Sequence, residues 1–326
     1  MQNSSLSAGT RAPGRRRSRR FNFFVLATLL VSIVLLGLVY WEYRSDDQQP
    51  TAAELDSEPV ATLAVLDVGQ ALSVALVTHD GYSMVYDFGL TIADANETII
   101  PFLDEHDVDE LDMAIVSHPH QDHIGGLPTL LESVPVGLYI DPALETTNQT
   151  YLRSLEMVED LEIETSLARQ GDTYSLGADV EMGTLWPVDD LLLNADGTLR
   201  LNDNSTVIRV DIGDVSILLT GDAEQDAEEI LVDTMAGDLD VDILLAGHHG
   251  SNTSSHNPFL DATSPSIAII SAGADNQYGH PHSEVMHRLR QHEIDIYRTD
   301  VDGTVIIQTD GTGWTVSTTQ SGQDAP

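Results

Sequence analysis

The chain has 326 residues, with 53 acidic and 14 basic side chains and a formal net charge of −39. That length holds one large domain with an appendage, or two domains, and buries a substantial core. It contains no cysteine, which excludes disulfides, thiolate ligands and a cysteine nucleophile, so any metal is held by nitrogen and oxygen.

All 14 basic residues are arginines. Seven of them (Arg11, Arg15, Arg16, Arg17, Arg19, Arg20 and Arg44) precede residue 51, against three acids, Glu42, Asp46 and Asp47. The remaining 50 acids and seven arginines give the rest of the chain a charge of −43. Such self-repulsion weakens a compact fold in dilute buffer and is relieved where salt shortens the Debye length. The composition predicts a halophilic setting. A competing reading is an acidic face for a basic partner, but the acids are spread along the chain rather than clustered.

In chain order, residues 1–20 form an arginine-rich segment expected in the cytoplasm. Phe21 to Trp41 reads FNFFVLATLLVSIVLLGLVYW, with Asn22 its one strongly polar residue. About 20 helical residues span a hydrocarbon core. The arginines before it and Asp46 and Asp47 after it place the N-terminus inside and the bulk outside, by the positive-inside rule. This predicts a single-pass cell-membrane protein with an extracellular domain. A cleavable signal peptide is the rival, but Tyr40-Trp41-Glu42-Tyr43 offers no small-residue cleavage site. Residues 42–60 read as an acidic polar linker, 61–318 as the main domain and 319–326 as a frayed tail.

Within the main domain, apolar β-branched runs predict strands at 61–67, 71–78, 82–87, 112–117, 136–140, 179–185, 205–212, 215–220, 241–246, 266–271, 294–297 and 303–308. Helical patterns fit 97–105, 126–133, 150–161, 223–235 and 283–292. Two packed sheets flanked by helices follow from this order, an α/β (α+β) design.

The densest chemistry is His-Pro-His-Gln-Asp-His, which puts His118, His120, Asp122 and His123 within six positions after Met113-Ala114-Ile115-Val116. Alternation throws His118 and His120 to one side, and the following turn swings Asp122 and His123 toward the same point. Imidazole nitrogen and carboxylate oxygen suit Zn²⁺ and its neighbours at about 2.0–2.2 Å. Other predicted strands end in groups of the same kind. Asp67-Val68-Gly69-Gln70 and Asp87-Phe88-Gly89 supply turns and acceptors for ligand imidazoles. Thr220-Gly221-Asp222 places a carboxylate able to bridge two metals. His248-His249-Gly250-Ser251 and Tyr278-Gly279-His280-Pro281-His282 add further imidazoles.

The order DVGQ, Asp-x-Gly, HxHxDH, TGD and HHGS resembles the metallo-β-lactamase superfamily. Asn202 to Ser205, Ser251 to Ser255, Tyr278 to His282 and Arg298-Thr299-Asp300 resemble its ComEC-like branch, the hydrolase domain of late-competence DNA-uptake proteins. The resemblance covers about residues 61–316. It implies a four-layer αββα sandwich with a metal site at one edge of the sheets, behind the predicted transmembrane helix. It also implies one or two divalent ions, with Zn²⁺ favoured and Mn²⁺ or Fe as alternatives. His118, His120 and Asp222 match the first metal site. The later histidine of that site has no counterpart between His123 and Asp222, and Asn204 or a water is expected to fill the gap. The second site is expected to use Asp122, His123, Asp222 and His248, with His249 able to exchange roles with His248.

A bound divalent cation lowers the pKa of water toward 7, which suits hydrolysis. Asp122 is placed to orient that water and accept its proton. His282, His280 and Ser251 are candidates to donate to a leaving group or hold an oxyanion. The leading expectation is an outward-facing phosphodiesterase or nuclease, with DNA or another phosphodiester as substrate and a separate DNA-uptake channel protein as partner. The acidic ectodomain opposes DNA binding in dilute buffer. Hydrolysis of small esters or lactones, or a non-catalytic metal-stabilised surface module, are the alternatives.

Overall fold

The computed structural model describes residues 55–320. The predicted cytoplasmic segment, membrane anchor and most of the linker lie outside the described residues, as does the end of the tail. Among the described residues no helix is long and apolar enough to cross a membrane.

Fifteen strands follow in chain order. They are β1 (Ala61–Val65), β2 (Val74–Thr78), β3 (Ser83–Tyr86), β4 (Leu111–Ile115), β5 (Val136–Asp141), β6 (Glu164–Leu167), β7 (Thr173–Leu176) and β8 (Val180–Trp186). Then come β9 (Val207–Ile212), β10 (Val215–Leu219), β11 (Ile243–Leu245), β12 (Ile267–Ile270), β13 (Asp295–Arg298), β14 (Val305–Thr309) and β15 (Trp314–Thr318). An eight-stranded sheet runs β15-β14-β1-β2-β3-β4-β5-β6, and a seven-stranded sheet runs β13-β12-β11-β10-β9-β8-β7. Each is antiparallel at one side and parallel at the other: β3 to β6 and β10 to β13 are the parallel runs.

Period-2 alternation explains the layering. In β1, Leu63 and Val65 face the other sheet and pack with Ile208, Val210, Ile217, Leu219 and Ile243. Ala64 and the following Leu66 face outward onto helices. Those helices are α1 (Ile92–Asp94), continued by a π-helical turn at Ala95–Ile99 into α2 (Ile100–Glu105), with α3 (Gln121–Ile124), α4 (Leu127–Ser133) and α5 (Gln149–Asp160). Phe102, Leu103, Leu127, Leu130, Tyr151 and Val158 cover that face. On the far face of the second sheet lie α6 (Gln225–Met235), α7 (Asn257–Thr263) and α8 (Ser283–Gln291), which bury Leu231, Phe259, Leu260, Val285 and Leu289. A short α9 (Thr299–Asp302) follows β13. Each fully buried aliphatic side chain contributes about 1.5–3 kcal/mol. Three apolar interfaces between four layers are the expected αββα sandwich.

Beyond β15 the Thr319 and Gln320 N–H groups donate to the Thr304 and Asp302 carbonyls. The sequence pattern misses β6, β7 and β15. All three are sheet edges, and only Leu176 among their residues is buried. It also misses α7, which opens on Asn257-Pro258 and lacks a long periodic run.

The two parallel runs bring their C-terminal ends to a common rim. There the sheets are tied together: the Tyr86 hydroxyl donates to the Thr206 carbonyl at 2.6 Å, and the Thr206 N–H donates to the Ser117 carbonyl at 2.8 Å.

Candidate metal centre

The first motif does not lie on a strand. β4 ends at Ile115, and His118 and His120 occupy the loop beyond it. Asp122 and His123 sit on α3, a single helical turn. Gly125 and Gly126 let that turn press against the β3 loop. A Cβ on Gly125 would lie 1.8 Å from the Leu90 carbonyl oxygen. From this loop Asn148, the N-cap of α5, is reached through the Pro119 carbonyl, to which its side chain donates at 3.2 Å.

Asp222 is the hub. It is buried, and its two oxygens face different partners. Oδ2 lies 3.8 Å from His118 Nε2 and 3.6 Å from His248 Nε2. Oδ1 lies 3.3 Å from His123 Nε2 and 3.7 Å from His249 Nε2. His249 Nε2 is also 3.5 Å from Asp122 Oδ2. Two ligand-competent groups result: His118, His120 and Asp222, and Asp122, His123 and His249.

The sequence reading gave the second group His248, on the ground that it continues the strand. The structure places His249 there instead. β11 has already ended at Leu245, and His248 (φ 51°), His249 (φ 55°) and Gly250 (φ 77°) are consecutive left-handed residues. That turn sends the two imidazoles to opposite oxygens of Asp222. Left-handed non-glycine residues cost about 1–2 kcal/mol each and gather at functional sites.

Three of the imidazoles are oriented from behind. Asp87 Oδ2 accepts from His123 Nδ1 at 2.7 Å, while the Ser117 N–H and Oγ donate to the same carboxylate at 2.8 and 2.7 Å. The Ser271 carbonyl accepts from His249 Nδ1 at 3.0 Å. Glu224 accepts from His248 Nδ1 at 3.1 Å. In these three cases Nδ1 faces an acceptor and Nε2 is turned inward, the arrangement that prepares imidazole for a metal once Nε2 is free of a proton. Asp67, by contrast, only closes its own turn, through Gly69 N.

Buried polar atoms are normally paired. Here His123 Nε2, His249 Nε2 and Asp222 Oδ1 are buried without a hydrogen-bond partner, and they converge on one point. Lone pairs aimed at one another are satisfied by a cation, so the donor set fits a divalent ion.

Charge follows this geometry. Burial pushes His118 and His120 below the usual imidazole range. Burial opposes charge on His123 as well, but Asp222 and Asp87 on either side outweigh it and raise its pKa. Asp222 is held below the usual carboxylate range by His123 and His249 despite its burial. Asp122 is likewise held down despite burial, by the neighbouring imidazoles His249 and His123.

A cavity of about 290 Å³ opens onto the centre, lined by Gln70, His120, Asp122, Asn202, Asp222, His248, His249, Tyr278 and His280, with Gln121 at its side. His282 and Ser251 are not among its lining. His282 Nδ1 accepts from the Asn252 N–H at 2.9 Å, and Ser251 Oγ pairs with Thr253 Oγ1 at 3.0 Å. Both hold the 251–256 loop. Asn204 is buried with its amide fully used, accepting from the Leu192 N–H and donating to the Leu192 and Arg200 carbonyls. It pins a loop and offers nothing to a metal. The DVGQ segment supplied Gln70, whose role the sequence gave no reason to expect.

Residues 66–274 match the model of the metallo-beta-lactamase superfamily, and the chain belongs to that superfamily. It is 34% identical over 253 residues to competence protein ComA of Neisseria gonorrhoeae, covering 76% of this chain and 32% of that protein. It is 29% identical over 263 residues to ComE operon protein 3 of Bacillus subtilis, covering 74% of this chain and 32% of that protein. The chain therefore spans about a third of the length of these relatives, and the resemblance to competence proteins holds for that third. Among solved structures, CmlA, a diiron β-hydroxylase from Streptomyces venezuelae, superposes with a TM-score of 0.52 over 77% of this chain and 55% of its own, at 16% identity. That likeness is one of fold.

Proposed function

We propose that the protein is a metal-dependent phosphodiesterase or nuclease anchored in the cell membrane by residues 21–41, with residues 61–318 outside. The observation that carries the catalytic reading is the convergence of unpartnered His123 Nε2, His249 Nε2 and Asp222 Oδ1 beneath an open cavity. One ion would be held by His118, His120 and Asp222, with His248 beside them, the other by Asp122, His123 and His249 next to the same Asp222. When bound, such ions supply Lewis acidity toward water and a phosphoryl oxygen. Mn²⁺, Fe and Zn²⁺ all suit this nitrogen and oxygen set.

The chain's own residues do the rest. Asp87, Glu224 and the Ser271 carbonyl engage Nδ1 of three imidazoles and keep Nε2 turned toward the centre. Asp122, ionised and at the cavity wall, is the residue positioned to orient an attacking water and take its proton. Similarity to competence proteins favours a phosphodiester of DNA, delivered to or from a separate channel protein. The charge of −39 requires high salt for that encounter, in keeping with a halophilic setting. The test is hydrolysis of bis-p-nitrophenyl phosphate and single-stranded DNA at high salt, before and after chelation. Turnover of an acyl ester panel with none of the phosphodiesters would replace this reading with the small-molecule one.

A further inference from the structure

Two cavity-lining imidazoles, His248 and His280, belong to neither ligand group; His248 Nε2 lies 3.6 Å from Asp222 Oδ2, whereas His280 is not within reach of that carboxylate among the described ion pairs. The His280 ring centroid lies 5.7 Å from that of His248 and 6.4 Å from that of His249, so it stands beside the two imidazoles that flank Asp222. Its Nδ1 is 3.3 Å from Gln70 Nε2. The orientation of that amide is fixed, because Gln70 Oε1 accepts the Gly273 N–H at 3.0 Å. Gln70 must then present its NH₂ group, a donor, to His280. A nitrogen that accepts carries no proton in the neutral ring, so the hydrogen resides on Nε2. This is the reverse of His123, His248 and His249, whose Nδ1 atoms donate. Three imidazoles thus offer lone pairs and the fourth offers an N–H.

We infer that His280, locked in its Nε2–H form by Gln70, donates a hydrogen bond to a nonbridging phosphoryl oxygen of substrate bound over the centre. This rests on the phosphodiesterase reading. Burial in the cavity lowers the pKa of the ring. With its hydrogen placed on Nε2 by Gln70, the ring acts as a fixed donor rather than as a proton source for the leaving group. The side chain is separable from the loop that carries it, since Asn276 holds the His280 backbone, accepting its N–H at 3.0 Å and donating to its carbonyl.

Two measurements on the full chain decide this. In metal-free protein labelled with ¹⁵N-histidine, the His280 ring shows the proton on Nε2; a proton on Nδ1 overturns the inference. In metal-loaded protein, H280A lowers kcat/KM for bis-p-nitrophenyl phosphate, and weakens binding of inorganic phosphate measured by calorimetry, by about 10- to 100-fold, as for a hydrogen bond to a charged group. H280Q, which returns an N–H at similar reach, recovers most of the loss, and metal content stays at the wild-type level in both variants. The wild-type to H280A ratio is the same on either side of neutral pH. A ratio that collapses as pH rises would mark a leaving-group acid and overturn the donor role. A wild type inactive on phosphodiesters removes the function reading alone; the phosphate arm still stands, and equal phosphate affinity in wild type and H280A overturns the inference.

Discussion

Asp87 is the buried group on which the second ligand set turns, and Asp87→Asn isolates its role. The carboxylate receives three hydrogen bonds, from Ser117 N, Ser117 Oγ and His123 Nδ1. An asparagine oxygen still accepts from Ser117, but the new NH₂ faces His123 and forces Nδ1 to become an acceptor. The proton then moves to Nε2, which points at Asp222 Oδ1 3.3 Å away, and the lone pair meant for a metal is lost. Loss of such an orienting partner costs about 10- to 100-fold in metal affinity, or about 1.4–2.7 kcal/mol. The loss falls on the ion assigned to Asp122, His123 and His249, while the ion assigned to His118, His120 and His248 keeps its affinity within a few-fold. Calorimetric titration of Mn²⁺ or Zn²⁺ into metal-free protein reads both, and circular dichroism confirms the fold. Wild-type affinity for both ions in D87N would refute the argument that Asp87 sets the tautomer.

H248A and H249A each lower metal stoichiometry from two toward one, and the D87N effect disappears in H249A but persists in H248A; competition calorimetry separates them. Asp122→Asn lowers kcat by about 10²- to 10⁴-fold with secondary structure intact. Metal affinity rises with pH. His123 has a raised pKa when metal-free, so an ion must displace its proton, and the metal-induced gain in Tm shrinks as pH falls. Asn204→Ala costs about 2–4 kcal/mol in urea unfolding without changing metal content, because it strands the Leu192 and Arg200 groups it now satisfies. The urea midpoint rises between dilute buffer and molar KCl, as expected for a chain of net charge −39.

What the sequence made legible follows burial. Strands with both faces covered, such as β2 and β10, carry unbroken apolar runs, and the pattern finds them. The edge strands β6, β7 and β15 have little to bury and leave no such trace. At the site, HxHxDH and Asp222 are close in sequence to strand ends and are readable from spacing. The division of His248 from His249 is not, because it depends on a left-handed turn that neither residue type announces. Asn204 has the chemistry of a ligand and Ser251 that of an oxyanion donor, but both are consumed by nearby loops, which only the hydrogen bonds reveal. Gln70 carries no charge and titrates nowhere, so its hold on His280 is visible only once residues 203 positions apart in sequence, Gln70 and Gly273, are seen in contact.

The left-handed run at His248 to Gly250 has a consequence for how the centre fills. Two imidazoles that leave adjacent Cα atoms share one peptide plane. Seizing either ring fixes that plane and so pre-orders its neighbour. Occupancy of the pair would thereby be linked: a first ion captured would lower the ordering entropy left for a second.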